Sequence, residues 1–294
     1  MINVTDTLID RIEQTSNPTV VGLDPRLEYL PEVISKCATS NESAADAITE
    51  FNCRIIDEIK DVVPAVKIQS AFYELYSYYG VRAMEKTAAY AKKNGLIVMA
   101  DVKRNDIGST AEAYAAAYLK SGLYDYITVN PYPGYDGIKP FTDVCESDGK
   151  GIFVLARMSN PSAAQLQNVV GTDGKPLYIR VGELIAEWGQ STVGKYGYSA
   201  VGAVVGATNP DEARALRKQF KSVFFLVPGY GAQGGKGRDA AAAFDENGRG
   251  AIVNNSRGII AAYKTDKYKG LPYHKAAMLA ALAMREDLKT ALGK

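Results

Sequence analysis

The stretch DVKRNDIGST, residues 101–110, places two carboxylates and a lysine, Asp101, Lys103 and Asp106, within six residues directly after the apolar run LIVMA. Opposite charges at the end of a buried segment either neutralise one another as a structural ion network or are retained because chemistry needs them. A lysine flanked by two carboxylates stays protonated, which makes it a poor nucleophile.

A second constellation is PGYGAQGGKGR, residues 228–238, followed by NNSRG, residues 254–258. Its glycines permit close backbone approach to an anion, Arg257 offers the planar fork that suits phosphate oxygens, and Gln233 adds a neutral donor. Gly229, Gly231 and Gly234 formally match GxGxxG, but no acidic residue ends the strand that follows, as a dinucleotide site requires. Lys236 precedes Gly237 rather than Ser or Thr, so the stretch is not a nucleoside-triphosphate loop either. The bland reading is a flexible surface loop.

The remaining chemistry-bearing residue types narrow the field. His274 is the only histidine and lies in a helical-looking C-terminal segment, so it reads as a surface or helix-end residue. Mechanisms built on a histidine base, or on a metal held by several imidazoles, are thereby set aside. Cys37, Cys53 and Cys145 are odd in number and lack any CxxC pairing, which argues against zinc and for small packing residues in a reducing compartment.

These residues need elements to position them. Eight short runs rich in Val and Ile and bounded by Gly, Pro, Asn or Asp read as buried strands: 19–25, 62–69, 96–103, 126–132, 151–159, 198–207, 223–229 and 250–257. Segments of helical periodicity alternate with them, among them 43–60, 81–95, 110–122 and 209–220. In the last, Asn209 suits the cap, Pro210 the first helical position, and Asp211 and Glu212 the dipole. Strands buried on both faces and alternating with helices imply a parallel sheet, and eight units in one chain of 294 residues imply a TIM barrel spanning residues 1–294 as a single domain. A doubly wound open sheet is the runner-up. The connection 160–197 exceeds one helix; PLYIRVGELIAEWGQ supplies that helix, and QNVVGTDGKP before it reads as a modest insertion between strands five and six.

On this fold Asp101 and Lys103, two residues apart, share a face at the C-terminal end of strand three, where barrel active sites sit. Asp24, Lys67, Ser159 and Arg257 end or nearly end strands one, two, five and eight, so polar residues converge on one mouth. Each alone reads equally well as a rim residue. Two lysines and three carboxylates facing one cavity must be mutually neutralised or destabilising, and such arrays persist chiefly where chemistry needs them. The loops after strands seven and eight are where such barrels commonly hold phosphate.

Bulk composition agrees. Lys plus Arg total 34 against 33 Asp plus Glu, so no global positive field of the kind nucleic-acid binding relies on is present. No apolar run reaches the roughly 18 residues of a membrane span. The opening MINVTDTLIDRIEQ reads as an amphipathic helix rather than a signal peptide. A soluble, cytoplasmic protein without nucleic-acid or membrane partners is expected.

The motifs together resemble the orotidine 5′-monophosphate decarboxylase family, in its longer bacterial (type 2) subgroup. DVKRNDIGST fits the pattern DxKxxDI, and GLDP (22–25), VKIQ (66–69), MSNP (158–161), PGYGAQGG (228–235) and NSRG (255–258) stand in the expected order. The resemblance implies cofactor-independent conversion of orotidine 5′-monophosphate to uridine 5′-monophosphate (UMP) and CO2 in pyrimidine biosynthesis. It implies Lys103 as proton donor to C6, with Lys67, Asp101 and Asp106 completing the charged network. Asp24 and Lys67 would bind ribose hydroxyls, Ser159 the pyrimidine edge, and Gln233 and Arg257 the phosphate, with Pro228 beside the closing loop. Asp106, with Ile107 and Thr110, would reach into the site of a second subunit, which implies a homodimer. The chain departs from many relatives in carrying Asn130 where they end strand four with a histidine, and in the length between strands five and six. Magnesium-dependent sugar-phosphate decarboxylases and aldolases of the same superfamily place an acidic ligand near the end of strand two, where this chain has Lys67, a cation that would repel a metal. A Schiff-base aldolase using Lys103 and a barrel that only binds a nucleotide phosphate also compete for these residues.

Overall fold

The computed structural model describes residues 3–231 and 234–294. All eight expected strands form, all but β3, which keeps its length and runs one residue further, shorter than the apolar runs suggest: β1 Thr19–Leu23, β2 Ala65–Gln69, β3 Ile97–Arg104, β4 Tyr126–Val129, β5 Gly151–Arg157, β6 Val201–Val205, β7 Phe225–Val227 and β8 Ala251–Asn255. They pair in parallel in chain order, and β8 returns to β1 through Val20 and Asn254, closing a TIM barrel. Every residue of β1, β4, β6, β7 and β8 is buried, as a sheet covered on both faces demands. On β2 and β3, exposure begins only at the C-terminal ends, at Gln69 and at Lys103 and Arg104.

The outer helices follow their periodicity. Asn41–Ile59 starts on a Ser40 and Ser43 capping box and buries Ala44, Ile48, Phe51, Ile55 and Ile59, spaced three to four apart, against Ser77–Lys93. Each such Ile or Phe contributes about 1.5–3 kcal/mol over leaving it exposed. Gly108–Leu119, Tyr135–Asp148, Leu177–Trp188 and Pro210–Gln219 follow β3 to β6, and Tyr273–Ala291 packs back on Asn41–Ile59. The helix Val4–Thr15 lies across the N-terminal end of the barrel, where the buried Thr5 hydroxyl meets Tyr126 Oη at 2.8 Å and donates to the Ser199 carbonyl.

Several expectations change here. Asp24 lies just past β1; Ser159 lies two residues beyond β5, whose last ladder partner is Arg157; and Arg257 opens the short helix Arg257–Ile260 rather than ending β8. Strand ends are set by pairing to neighbours remote in sequence, which apolar runs do not encode. Asn209 occupies the N-cap position of Pro210–Gln219, but its side chain makes no capping bond and turns instead toward Thr208 Oγ1. Cys37 is exposed rather than packed in the interior, Cys53 is half-buried and Cys145 is buried. His274, second residue of its helix, pairs through Nδ1 with Glu58 at 3.0 Å. The insertion consists of the turns Pro161–Ala163 and Ala164–Gln167 and an antiparallel bridge between Val170 and Pro176.

Arg217 is a buried cation used for structure alone. It donates to the carbonyls of Phe220, Val223, Ala243 and Gly250 and lies 3.8 Å over the Phe225 ring, and burial pulls its pKa down to about 10. No helix among the described residues is long and apolar enough to cross a membrane.

Candidate active site

Asp101 is the hub of the barrel mouth. Its Oδ1 accepts from Lys103 Nζ at 2.5 Å and Thr128 Oγ1 at 2.9 Å, and its Oδ2 accepts from Lys67 Nζ at 2.9 Å and Gln69 Nε2 at 3.0 Å. Four donors from β2, β3 and β4 thus fill a carboxylate that is 7% exposed, the condition under which a buried charge is tolerated. Burial alone would push this carboxyl up, but the Lys67 and Lys103 ammonium groups outweigh it and hold the acid below its ordinary range. For Lys67 burial opposes the charged form as well, and Asp101 and Asp24 overcome it and hold the lysine above its usual pKa.

Asp24 extends the chain of charges, 3.6 Å from Lys67 Nζ. The backbone before it is fixed by Tyr73, whose hydroxyl donates to the Leu23 carbonyl at 3.1 Å and accepts from Asn52 Nδ2 at 2.8 Å. Burial raises the Tyr73 pKa well above the ordinary value, so this strut stays neutral. Asp24 Oδ1 is buried without a hydrogen-bond partner among the described residues, and so is Asn254 Oδ1 on β8. Buried acceptors left unmatched need a donor, and a sugar with several hydroxyls supplies donors.

Asp24, Lys67, Asp101, Asn254, Pro228 and Arg257 line one cavity of about 310 Å³, whose walls include Tyr29 and Phe72. That volume is near the lower end for small-molecule sites. Arg257 has no ion pair among the described residues and sits in the first turn after β8, beside Gly229, whose φ of +100° a side chain would resist. Gln233 lies outside the described residues. A larger cavity of about 840 Å³ opens at the opposite end of the barrel, but its charges are already matched: Asp10 with Lys195 and Tyr196, and Glu146 with Ser191.

Three expected site residues stand apart from the array. Asp106 does not join it; its Oδ1 accepts from the next backbone N–H, that of Ile107, at 2.8 Å. Thr110 is exposed in the first turn of Gly108–Leu119, and neither it nor Ser159 lines the cavity. Ser159 is nevertheless held firmly. Its carbonyl accepts from Thr208 Oγ1 at 2.9 Å, while Gln167 of the insertion accepts from Met158 N at 2.9 Å and from buried Arg157. Sequence reasoning missed Gln69, Thr128 and Asn254. Gln69 and Asn254 were visible as polar residues inside otherwise apolar strand runs; Thr128 carried no such signal.

Comparison with known proteins fits this geometry. The sequence model described as Orotidine 5'-phosphate decarboxylase / HUMPS family matches residues 18–268. The chain belongs to that family. It is 44% identical to the orotidine 5'-phosphate decarboxylase of Rhodopirellula baltica, covering 95% of this chain and 96% of that one. It is 41% identical to the enzyme of the same name from Caldicellulosiruptor saccharolyticus, covering 99% of this chain and 100% of the other. Among solved structures, Leishmania donovani OMP decarboxylase superposes with a TM-score of 0.80 at 28% identity, covering 100% of both chains. The motifs from Asp24 to Arg257 all fall inside the region matched by the family.

Proposed function

We propose that this protein decarboxylates orotidine 5′-monophosphate to UMP and CO2, with Lys103 delivering the proton to C6. The observation that carries the reading is the unbroken chain Asp24, Lys67, Asp101, Lys103, whose first three members line the cavity that Arg257 also lines and whose last is held to it by Asp101. Departure of CO2 leaves an electron pair in an sp2 orbital at C6, which the ring π-system cannot absorb. A fixed ammonium near C6 stabilises that charge as it develops and then supplies the proton. Asp101 keeps Lys103 charged and oriented. Lys67 offsets Asp101 and, with Asp24, is placed for ribose hydroxyls. Its ammonium fills the space between Asp24 and Asp101 where a divalent cation would sit, which favours a reaction without metal over magnesium-dependent chemistry. Arg257, Gln233 and the backbone after β7 take the phosphate, and binding energy gained there is available to close the site and exclude water.

Asp106, Ile107 and Thr110 serve the site of a second copy, and the active form is a homodimer. Ile107 is 59% exposed and Tyr132, on the loop after β4, 83% exposed, an apolar rim beside Asp106 that a second subunit would cover. Ser159 is the contact to the pyrimidine edge, and a cytoplasmic location completes the reading. The test is the ultraviolet absorbance of orotidine 5′-monophosphate with purified protein, with and without EDTA. Loss of absorbance that EDTA leaves unchanged is expected; an unchanged spectrum defeats the proposal.

A further inference from the structure

On β3 and β4 the ladder does not run evenly. Ala100 pairs with Ile127 and Arg104 with Val129, so Asp101, Val102 and Lys103 together face one residue, Thr128. The bulge forces Lys103 into a left-handed backbone conformation, φ +44°, which an unbranched non-glycine residue adopts only when its surroundings hold it there. The bulge would leave the N–H groups of Val102 and Lys103 without ladder partners, and the Thr128 hydroxyl accepts from both, at 3.0 and 2.9 Å. Its one proton then has a single use, the 2.9 Å bond to Asp101 Oδ1, the same oxygen that receives Lys103 Nζ. Thr128 is 2% exposed and lines no cavity described above.

We infer that Thr128 is the positioning residue of this site: through one hydroxyl it sets both the backbone from which Lys103 projects and the carboxylate that aims its ammonium. The inference rests on the decarboxylase reading, in which the placement of Lys103 decides the rate. Ser and Thr alone among side chains supply two acceptor sites and one donor at this reach, so Val, equal in shape, loses all three bonds at once. Misplacing a reacting group by a fraction of an ångström to an ångström slows chemistry by about 10- to 100-fold without altering contacts to the remote phosphate.

The experiment compares Thr128→Val, Thr128→Ala and Thr128→Ser with the wild-type protein in turnover of orotidine 5′-monophosphate, in binding of UMP and in thermal unfolding. For Thr128→Val, or for Thr128→Ala if the valine variant does not fold, the expected result is kcat lowered roughly 10- to 100-fold with the UMP dissociation constant within about threefold of wild type. Thr128→Ser, which restores the hydroxyl, returns kcat to within about fivefold of wild type. A folded Val or Ala variant that keeps the wild-type kcat overturns the inference. So does a loss of kcat and UMP binding together that Ser does not rescue, the pattern of a purely structural role. A wild-type protein inert toward orotidine 5′-monophosphate overturns the decarboxylase reading and this inference with it, whereas an active wild type with indifferent Thr128 variants overturns the inference alone.

Discussion

Replacing Lys67 by methionine tests whether the charges at the barrel mouth are mutually dependent. Lys67 Nζ stands 2.9 Å from Asp101 and 3.6 Å from Asp24, and the three side chains are 5%, 10% and 19% exposed, so water screens the pairs little. Removing one partner of such a buried pair costs about 3–5 kcal/mol because the remaining charge is stranded. Methionine preserves the volume of the stem, and Lys103, Gln69 and Thr128 continue to donate to Asp101, which places the expected loss near the lower bound, about 3 kcal/mol. In urea unfolding, with a slope of about 3 kcal/mol per molar, the midpoint falls by about 1 M. The array without Lys67 carries one excess negative charge, and Asp101→Asn added to Lys67→Met restores neutrality. The double variant therefore loses less than the sum of the single variants, by about 2 kcal/mol of coupling. A Lys67→Met protein within about 0.5 kcal/mol of wild type, or additive single variants, would refute the dependence.

Three further outcomes follow from the same geometry. Arg257→Ala, which removes the side-chain cation that lines the cavity beside Gly229, raises KM for the nucleotide and lowers kcat/KM by roughly 100-fold or more, as loss of a charge-assisted phosphate contact does; an unchanged kcat/KM would show the phosphate lies elsewhere. If Asp106 serves the second subunit, mixing inactive Lys103→Ala with inactive Asp106→Ala and allowing subunits to exchange regenerates about a quarter of wild-type activity, since half the dimers are hybrids with one intact site of two; no recovery after verified exchange contradicts the shared site. Asp101 has a folded pKa below its unfolded value of about 3.9, so its contribution to stability is complete above pH 4 and is lost as pH falls toward the folded value. The stability difference between wild type and Asp101→Asn is accordingly flat from about pH 5 to 8 and shrinks below about pH 4, and a difference that grows on acidification would reverse the sign of the argument.

The barrel was legible because buried parallel strands write themselves as short Val- and Ile-rich runs, and all eight runs form strands of one closed sheet. The charged array was legible for the same reason, since Asp101 and Lys67 interrupt such runs where nothing but a partner tolerates them. The reason that Asp101 and Lys103 meet was not. Simple alternation puts them on one face, but the two residues lie in a bulge opposite Thr128, and their contact depends on the strained backbone at Lys103. A bulge is a mismatch between two strands and leaves no trace in either one. Ser159 and Arg257 shifted from strand to loop and helix because pairing, not composition, ends a strand. Asp106 could not be placed in the array from its own chain, because among the described residues its side chain bonds only to its own neighbour. The part played by the insertion, Gln167 pinning the backbone next to Ser159, links residues whose pairing no local pattern announces.

The central claim is that Lys103 performs the proton delivery while other residues bind the nucleotide. The direct measurement is single-turnover decarboxylation by Lys103→Ala beside the dissociation constant of UMP for the same protein. Turnover reduced by at least about 10⁴-fold, with UMP bound within about tenfold of wild type, is the expected pair of results. Lys103→Ala that still decarboxylates orotidine 5′-monophosphate at a substantial fraction of the wild-type rate would contradict it.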